Sequence, residues 1–457
     1  MSIFSAQLSN EERHLKMTRT PIPKLVSSLA VPTVMSQLVT IAYNTADTYF
    51  VSKLGKSATA AVGVVFSYQS IIPAFGFGIG MGASSLISRR LGAKKLDEAN
   101  TYAGSAFFGA IAVGCIIMVL GLLFPRELAT LLGATDTMLP HAVEYARYIF
   151  LSTPIMCGAF VLNMLLRAEG EASYAMIGLC TGGILNIFLD PLFIFRFHMN
   201  AAGAALATAV SQCVSFMILL LVFLRGRSIV SIHPRHVSRR LSDYWLILST
   251  GFPTLCRQGL ASIATALINI KGKLYGDAAV AALTIANKVY LLIRNIIIGI
   301  GQGYQPVAGY NYGAKKYSRV KKSFWFASAV GTVICSVSGV LLFMYSEAVL
   351  GWFISDAEVI VLGSKALRIC AAVMPFMAYS TYVNQLYQCL GFRLPATFLA
   401  SCRQGVMFLP LILILPGVWG LLGVQLSQPG ADLLTFIISV PFQIHFMRSV
   451  LNLRDTV

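Results

Sequence analysis

Long apolar segments, each followed by a short polar stretch, run along nearly the whole chain. A helix needs about 20 apolar residues to cross the hydrocarbon core of a bilayer. Twelve segments reach this length. They predict an all-α integral membrane protein with transmembrane helices at 25–52, 58–86, 99–124, 140–166, 172–195, 201–224, 243–270, 278–304, 323–346, 358–390, 395–415 and 419–447.

The composition supports this interpretation and excludes other classes of protein. Of the 457 residues, 56% are hydrophobic and only 12% are charged, whereas about 25% are charged in an ordinary soluble chain. The nine cysteines lie in apolar stretches without a C-x-x-C pair, so we expect neither a disulfide framework nor a zinc site. The sequence has no nucleophile–base motif, so we do not expect an enzyme.

The basic residues fall mostly on one side of the predicted membrane. Twenty-two Lys and Arg residues lie in one set of loops and only six lie in the opposite set. Loops rich in Lys and Arg remain in the cytoplasm. This asymmetry explains the net charge of +17 without a nucleic-acid partner, and it predicts three cytoplasmic segments: the N-terminal residues 1–24, a basic linker at 225–242 and a tail at 448–457.

The first half of the sequence recurs in the second half. Pro32 and Thr33 recur as Pro253 and Thr254, 221 positions later, and the GAKK run that ends at Lys95 recurs at the same offset. Six helices in each half is an even number, so the two halves have the same orientation in the membrane. Parallel repeats are typical of alternating-access transporters. We therefore predict two parallel six-helix bundles, 25–224 and 243–447, around a central cavity.

Three of the 18 carboxylates, Asp47, Asp190 and Asp432, lie well inside apolar segments. An aspartate at the centre of a membrane helix costs about 2.5–3.5 kcal/mol on insertion scales, so it is a candidate functional residue. In the second half, the positions that match Asp47 and Asp190 hold Ile268 and Leu409. A carboxylate required by the scaffold would be needed in both halves. We therefore assign a coupling site to the first half.

Polar neighbours share the helical faces of these two aspartates. Asn186 lies four residues before Asp190, and Asn44 lies three residues before the other aspartate. Pro191 has no N–H, so the carbonyl four positions earlier loses its helical partner and can face an ion. Pro32 and Pro191 are predicted hinges, because proline bends a membrane helix without necessarily ending it.

Several motifs together resemble those of the multidrug and toxic-compound extrusion (MATE) family, in order and spacing, over nearly the whole chain. They are Ala46-Asp47-Thr48, the G-x-G-x-G of the second helix, LGAKK at 91–95, NYGAKK at 311–316, Leu166-Arg167-Ala168 with Gly170, and Asn186-x-x-x-Asp190-Pro191. The resemblance implies a secondary active antiporter of a bacterial inner (cytoplasmic) membrane. Such a protein exports organic, often cationic and lipophilic, compounds in exchange for H⁺ or Na⁺ by alternating access.

The resemblance also adds residues to the coupling network of the first bundle. Two carboxylates in a low-dielectric pocket cannot both ionise cheaply, so the aspartate pair can take up a proton. The same oxygens, with an amide and a hydroxyl, can ligate Na⁺ instead. The predicted coupling residues are Asp47, Asn186, Asp190, Asn163, Thr208, Tyr145 and Asn44, with Na⁺ held by Asp47, Asn186, Asp190 and Thr208. The choice between H⁺ and Na⁺ stays open, and no resident cofactor is expected.

Polar and aromatic residues of the second half suit a substrate cavity. The run 379–388 reads YSTYVNQLYQ, and four bases lie in apolar spans, where they can pair with Asp432 or line a path: Arg257, Lys288, Arg294 and Arg403. The predicted cavity residues are Tyr43, Asp432, Arg294, Tyr379, Asn384 and Gln388. The expected partners are a small drug or toxic organic substrate and the lipid bilayer, with no nucleic acid, and the chain is expected to be monomeric.

The nearest alternative function is a flippase for lipid-linked oligosaccharides, from the same wider superfamily. A flippase needs a cationic cavity for pyrophosphate, and the bases of the second half keep this alternative open. The aspartates of the first half favour the exporter. The glycine-rich stretches lack a Walker lysine, which argues against an ATP-driven pump.

Overall fold

The computed structural model describes residues 9–54, 56–131 and 139–449, with the backbone alone for 56–70. Within these ranges every regular element is helical. The long helices are α2 (Ile22–Ser52), α3 (Lys56–Gly92), α4 (Leu96–Leu123), α6 (Leu139–Ala168), α7 (Ala172–Pro191), α8 (Asn200–Leu224), α9 (Leu241–Lys273), α10 (Asp277–Gly313), α11 (Tyr317–Met344), α13 (Ala357–Leu390), α15 (Phe408–Trp419) and α16 (Leu421–Ser449). Shorter ones are α1 (Asn10–Arg19), α5 (Pro125–Leu131), α12 (Ser346–Gly351) and α14 (Arg393–Ser401).

Each of the twelve predicted spans coincides with helix in the structure, which confirms the predicted fold class. In the described part of the chain, eleven helical stretches are long and apolar enough to cross a membrane. The span predicted at 243–270 is α9, which is also helical throughout its 33 residues but lies outside that set. Polar side chains such as Arg257 and Gln258 in the middle of α9 make it less apolar than its neighbours.

Two of the predicted spans contain a π-helical turn. The turn Leu192–Arg196 directly follows Pro191 at the end of α7, and the turn Cys402–Val406 separates α14 from α15. Pro410 explains the second turn, because the carbonyl of Val406 lacks the N–H donor that a residue four positions later normally provides. The predicted span 395–415 is therefore an interrupted helix.

The chain forms two compact units, which divide it differently from the predicted bundles. Unit 1 contains α1 and Met35–Gly251, and unit 2 contains Thr20–Val34 and residues 252–449. The first part of α2 thus belongs to unit 2, and the first part of α9 belongs to unit 1. Both helices change unit within two residues of a repeat-related proline, Pro32 in α2 and Pro253 in α9.

Two glycines at matching repeat positions make this exchange possible. In unit 1, a Cβ at Gly82 of α3 would overlap the carbonyl of Ile247, in the first part of α9. In unit 2, a Cβ at Gly303 of α10 would overlap the backbone of Ala30, in the first part of α2. Helix backbones approach this closely only where side chains are absent.

The backbone itself repeats between the two units. Lys94 and Lys315, 221 positions apart, both have a positive φ, of 60° and 56°. The hydrogen bond from the Lys95 N–H to the Arg90 carbonyl has its counterpart in unit 2, and both bonds are 2.8 Å long. Helix α6 packs against α3, α4 and α8, and its repeat mate α13 packs against α10, α11 and α16. The sequence repeat is therefore a structural repeat.

Candidate functional site

Helices α7 and α8 bring three of the predicted coupling residues together inside unit 1. Nδ2 of Asn186 donates to Oδ1 of Asp190 at 3.2 Å and to Oγ1 of Thr208 at 3.4 Å. Asn186 and Asp190 meet because residues four apart share a helical face. All three side chains are buried, and Asp190 is 0% exposed. The group therefore forms a polar cluster within the packed interior.

Asp47 of α2 completes this cluster, which we call the aspartate cluster (Asp47, Tyr145, Asn186, Asp190 and Thr208). The carboxyl of Asp47 interacts electrostatically with Asp190 and with Tyr145, which is fully buried in α6. Three buried oxygens of this cluster have no hydrogen-bond partner within the described residues: Oδ1 of Asp47, Oδ1 of Asn186 and Oδ2 of Asp190. Because buried polar atoms normally have partners, these three neighbouring oxygens are candidate ligands for a proton or a cation.

Tyr43, predicted as a cavity residue, belongs to the same region of unit 1. A Cβ at Gly183 of α7 would lie 2.8 Å from Cδ1 of Tyr43, so the ring packs against α7 one turn before Asn186. The ring also interacts electrostatically with Asp47. Asn44, by contrast, is half-buried, and its side chain has no hydrogen bond among the residues described. The structure therefore places Tyr43 beside the cluster, while the Asn44 side chain forms no hydrogen bond to it.

Asn163 is not brought to the aspartate cluster. It lies 18 residues after Tyr145 on α6, which is about 27 Å along a helix with a rise of 1.5 Å per residue. Its Nδ2 donates to the carbonyl of Ala175 at 2.8 Å. The predicted cavity residue Asn384, 221 positions later, donates in the same way to the carbonyl of Ala396 at 2.7 Å. Since both repeats make this bond, it serves the scaffold.

The third buried aspartate, Asp432 of α16, lies in unit 2 and forms an ion pair. Nε of Arg403 is 2.5 Å from Oδ1 of Asp432, and the pair is almost completely buried. Tyr290 also donates to this carboxylate, and Nε2 of Gln428 donates to it at 3.1 Å. Unlike the carboxylates of the aspartate cluster, Asp432 is neutralised and fully hydrogen-bonded.

The other predicted cavity residues divide between a cavity and the packed interior of unit 2. Arg294 and Asn384 line one cavity together with Arg257 and Arg403. Tyr379 packs in an aromatic group with Phe324, Trp325 and Phe436, and Gln388 donates to Oγ1 of Thr254 at 2.7 Å. The fourth predicted base, Lys288, is exposed and does not line that cavity.

The sequence reasoning missed a buried charged group at the end of α6 in unit 1. Glu169 accepts hydrogen bonds from the Ser228 hydroxyl at 2.6 Å and from the Ile229 N–H at 2.7 Å, and Arg13 of α1 lies 3.9 Å away. Burial raises the pKa of Glu169 to about 7, although the bonds from Ser228 and its neighbours act in the opposite direction. This group fastens the basic linker and α1 to unit 1. The sequence did offer a signal for this group, because Glu169 lies between Ala168 and Gly170 of the family motif.

Comparisons with known proteins agree with this fold. The family model MatE matches residues 32–192 and 253–414, one match in each repeat. Multidrug export protein MepA of Staphylococcus haemolyticus is 26% identical over 415 residues, which cover 91% of each chain. The protein of that name from Staphylococcus aureus is 27% identical over 418 residues, covering 91% of this chain and 92% of the relative.

Solved structures of transporters have the same architecture. A MATE protein in complex with MaL6 superposes with a TM-score of 0.90 at 27% identity, covering 96% of this chain and 99% of the other. An outward-facing multidrug resistance MATE family transporter of the MOP superfamily gives a TM-score of 0.90 at 26% identity, covering 98% and 100%. With the apolar helices, these matches show a multi-pass membrane transporter and not an enzyme. The chain belongs to the MATE (MatE) family.

Proposed function

We propose that the protein is a cation-coupled antiporter that exports drugs and other organic compounds. The observation that carries this proposal is the aspartate cluster, in which three buried oxygens have no hydrogen-bond partner among the described residues. Two carboxylates that repel each other in a buried site are stabilised by a bound proton or Na⁺. Loading and release of that ion couple the cluster to transport.

Both coupling ions fit the residues of the cluster. Hard oxygen donors from two carboxylates, the Asn186 amide and the Thr208 hydroxyl suit Na⁺. A proton can instead be shared between the carboxylates of Asp47 and Asp190. Neither ion requires a resident cofactor, and the ion acts as a co-substrate.

The export of drugs is supported by the relatives, two of which are named multidrug export protein. The excess of Lys and Arg in one set of loops supports an orientation with both termini in the cytoplasm. We therefore place the chain in a bacterial inner membrane, where it acts as a monomer by alternating access on cationic, lipophilic compounds. The repeat, with its proline hinges Pro32 and Pro191, supplies helices that can bend during this cycle.

Efflux from reconstituted vesicles tests the proposal. Vesicles loaded with a fluorescent lipophilic cation receive either an imposed pH gradient or an imposed Na⁺ gradient. We expect one gradient to accelerate efflux and the other to have no effect, which also identifies the ion. Efflux that responds to neither gradient would contradict the proposal.

Single substitutions separate the coupling function from folding. Asp47→Asn and Asp190→Asn should each reduce gradient-driven efflux to a small residual rate, because the titrating group is lost while its shape is kept. Ile268→Asn, at the repeat position that matches Asp47, is the control and should leave coupling intact. Equal loss of transport from all three variants, at equal expression, would mean that the aspartates are structural.

A further inference from the structure

Unit 2 contains a cavity whose wall is strongly basic. Arg257 of α9, Arg294 of α10 and Arg403 of the π-helical turn all line it. Within the described residues, the one carboxylate paired with any of these bases is Asp432, which neutralises Arg403. Asp432 also interacts electrostatically with Arg294, but neither Arg257 nor Arg294 forms an ion pair within the described residues, so three guanidinium charges share one carboxylate. We call this feature the arginine cavity.

Neither Arg257 nor Arg294 has a hydrogen-bond or ion-pair partner among the residues that the structure describes. Arg294 is 91% buried, since its exposed fraction is 9%, and its Nε has no hydrogen-bond partner in the described part of the chain. Arg257 is half-buried, and it too forms neither a hydrogen bond nor an ion pair with any described residue. A buried charge without a partner is costly, and basic residues inside membrane helices normally pair. The arginine cavity is thus built to receive negative charge.

The repeat shows that the scaffold does not need these bases. The positions of unit 1 that match Arg257, Arg294 and Arg403 hold Ser36, Pro73 and Ile184. The aspartate cluster of unit 1 contains two carboxylates, and the arginine cavity of unit 2 contains three guanidiniums beside one carboxylate. This opposite polarity points to two sites that bind opposite charges.

The arginine cavity has room for a small charged group. Its volume of about 30 Å³ exceeds the roughly 10–15 Å³ that a cavity needs to hold one water molecule, so the oxygens of a small charged group can enter. A carboxylate, sulfonate or phosphate group places two oxygens side by side, which is the geometry that guanidinium groups bind best. Hydroxyl and amide groups of Thr381, Asn384 and Gln404 complete the wall.

We propose that the arginine cavity binds one oxoanion group of an amphipathic cargo molecule, through Arg257 and Arg294. The protein then accepts organic anions and zwitterions in addition to cations. This inference rests on the proposed function as far as cargo is concerned, whereas binding itself requires no ion gradient.

Binding of a matched pair of probes tests the proposal. The probes are anthracene-9-carboxylate and its neutral amide, and the full chain is held in nanodiscs of phosphatidylcholine. We expect the carboxylate to bind about tenfold or more tightly than the amide, because charge-assisted hydrogen bonds are lost in the amide. Arg257→Gln and Arg294→Gln should each remove this preference. Lys288→Gln, which removes an exposed charge from the same helix as Arg294, should keep it.

Two further binding measurements, one with a variant of Asp432 and one with an anionic lipid, control for folding and identify the occupant of the cavity. Asp432→Asn should strengthen carboxylate binding, because it releases Arg403 from its ion pair, and damage to the fold cannot produce this direction of change. Nanodiscs that contain phosphatidylglycerol should give the same preference for the carboxylate as those that do not. Suppression by that lipid would assign the cavity to a headgroup and overturn the cargo proposal.

Equal binding of the two probes to the unmodified protein would also overturn the proposal, as would a preference that survives both arginine substitutions or disappears with Lys288→Gln. Because no gradient is imposed, this result is independent of the efflux experiment. A protein that fails to couple efflux to an ion can still bind the carboxylate, and a coupled exporter can fail to bind it.

Discussion

Asn163 provides a sharp test, because the family resemblance and the structure assign it different roles. The resemblance implies that Asn163 takes part in ion coupling. In the structure its Nδ2 holds the Ala175 carbonyl, about 27 Å along α6 from Tyr145, and Asn384 makes the matching bond in unit 2. We predict that Asn163→Ala and Asn384→Ala lower stability by similar amounts and leave the ion dependence of transport unchanged.

The magnitude follows from the bonds. Each asparagine is buried, with an exposed fraction of 1% for Asn163 and 6% for Asn384, and each donates one short hydrogen bond to a backbone carbonyl. Loss of such a bond, with some loss of packing, costs about 1–2 kcal/mol. For a unit of roughly 200 residues this lowers the melting temperature by about 2–8 °C.

Thermal unfolding of the purified variants in detergent measures this effect, and vesicle efflux at several pH values and Na⁺ concentrations measures ion dependence. Asn44→Ala is the control, because the half-buried side chain of Asn44 has no hydrogen bond within the described residues, and its melting temperature should barely change. An unchanged melting temperature for Asn163→Ala, together with a shifted ion dependence, would refute the scaffold role and restore Asn163 to the coupling site.

Three further predictions concern pH, coupling and topology. The pKa of Glu169 is raised from 4.5 to about 7 in the folded protein. As pH rises, the unfolded chain therefore loses this proton before the folded protein does. The free energy of unfolding should fall by about 3 kcal/mol between about pH 4.5 and pH 7. Melting curves at pH 5 and 7.5 should show a larger fall for the unmodified protein than for Glu169→Gln, in which the aspartate cluster still titrates. An equal fall in the two proteins, or a smaller one in the unmodified protein, would mean that the bonds to Glu169 offset its burial. The double variant Asp47→Asn/Asp190→Asn should transport about as poorly as the worse single variant, because residues that act as one unit are non-additive; effects that multiply would indicate separate sites. Single cysteines introduced at positions 90, 235 and 316 should react only with cytoplasmic reagents and one at 126 only with external reagents, and labelling of 126 and 235 from the same side would contradict the orientation.

The helices and the aspartate cluster were predictable from the sequence for a physical reason. Apolar length alone defines a membrane helix, and a carboxylate such as Asp190 in such a segment is too costly to be incidental. The four-residue spacing of Asn186 and Asp190 already fixed their shared face. The helices and the two aspartates depend on local sequence, whereas Tyr145 and Thr208 came from the family resemblance, because local sequence does not show which helices meet.

The features that escaped prediction depend on contacts between distant segments. The exchange of the first parts of α2 and α9 between the units requires the absence of a side chain at Gly82 and Gly303, and a sequence does not say which backbone approaches a glycine. The pairing of Glu169 with the linker around Ser228 spans 59 residues. For Asn163, the hydrogen bond to the Ala175 carbonyl depends on how α6 packs against α7, which the sequence alone does not show.

Ion release on substrate binding tests the central claim most directly. When a cationic substrate is added to the purified protein in weakly buffered detergent, an antiporter that couples through Asp47 and Asp190 should release H⁺, recorded with a pH indicator, or displace bound ²²Na⁺. Asp190→Asn should bind substrate without releasing either ion, while Ile268→Asn should release as much as the unmodified protein. Release of the same amount of ion from Asp190→Asn, or substrate binding to the unmodified protein with release of neither ion, would contradict the claim that the aspartate cluster couples export to a cation.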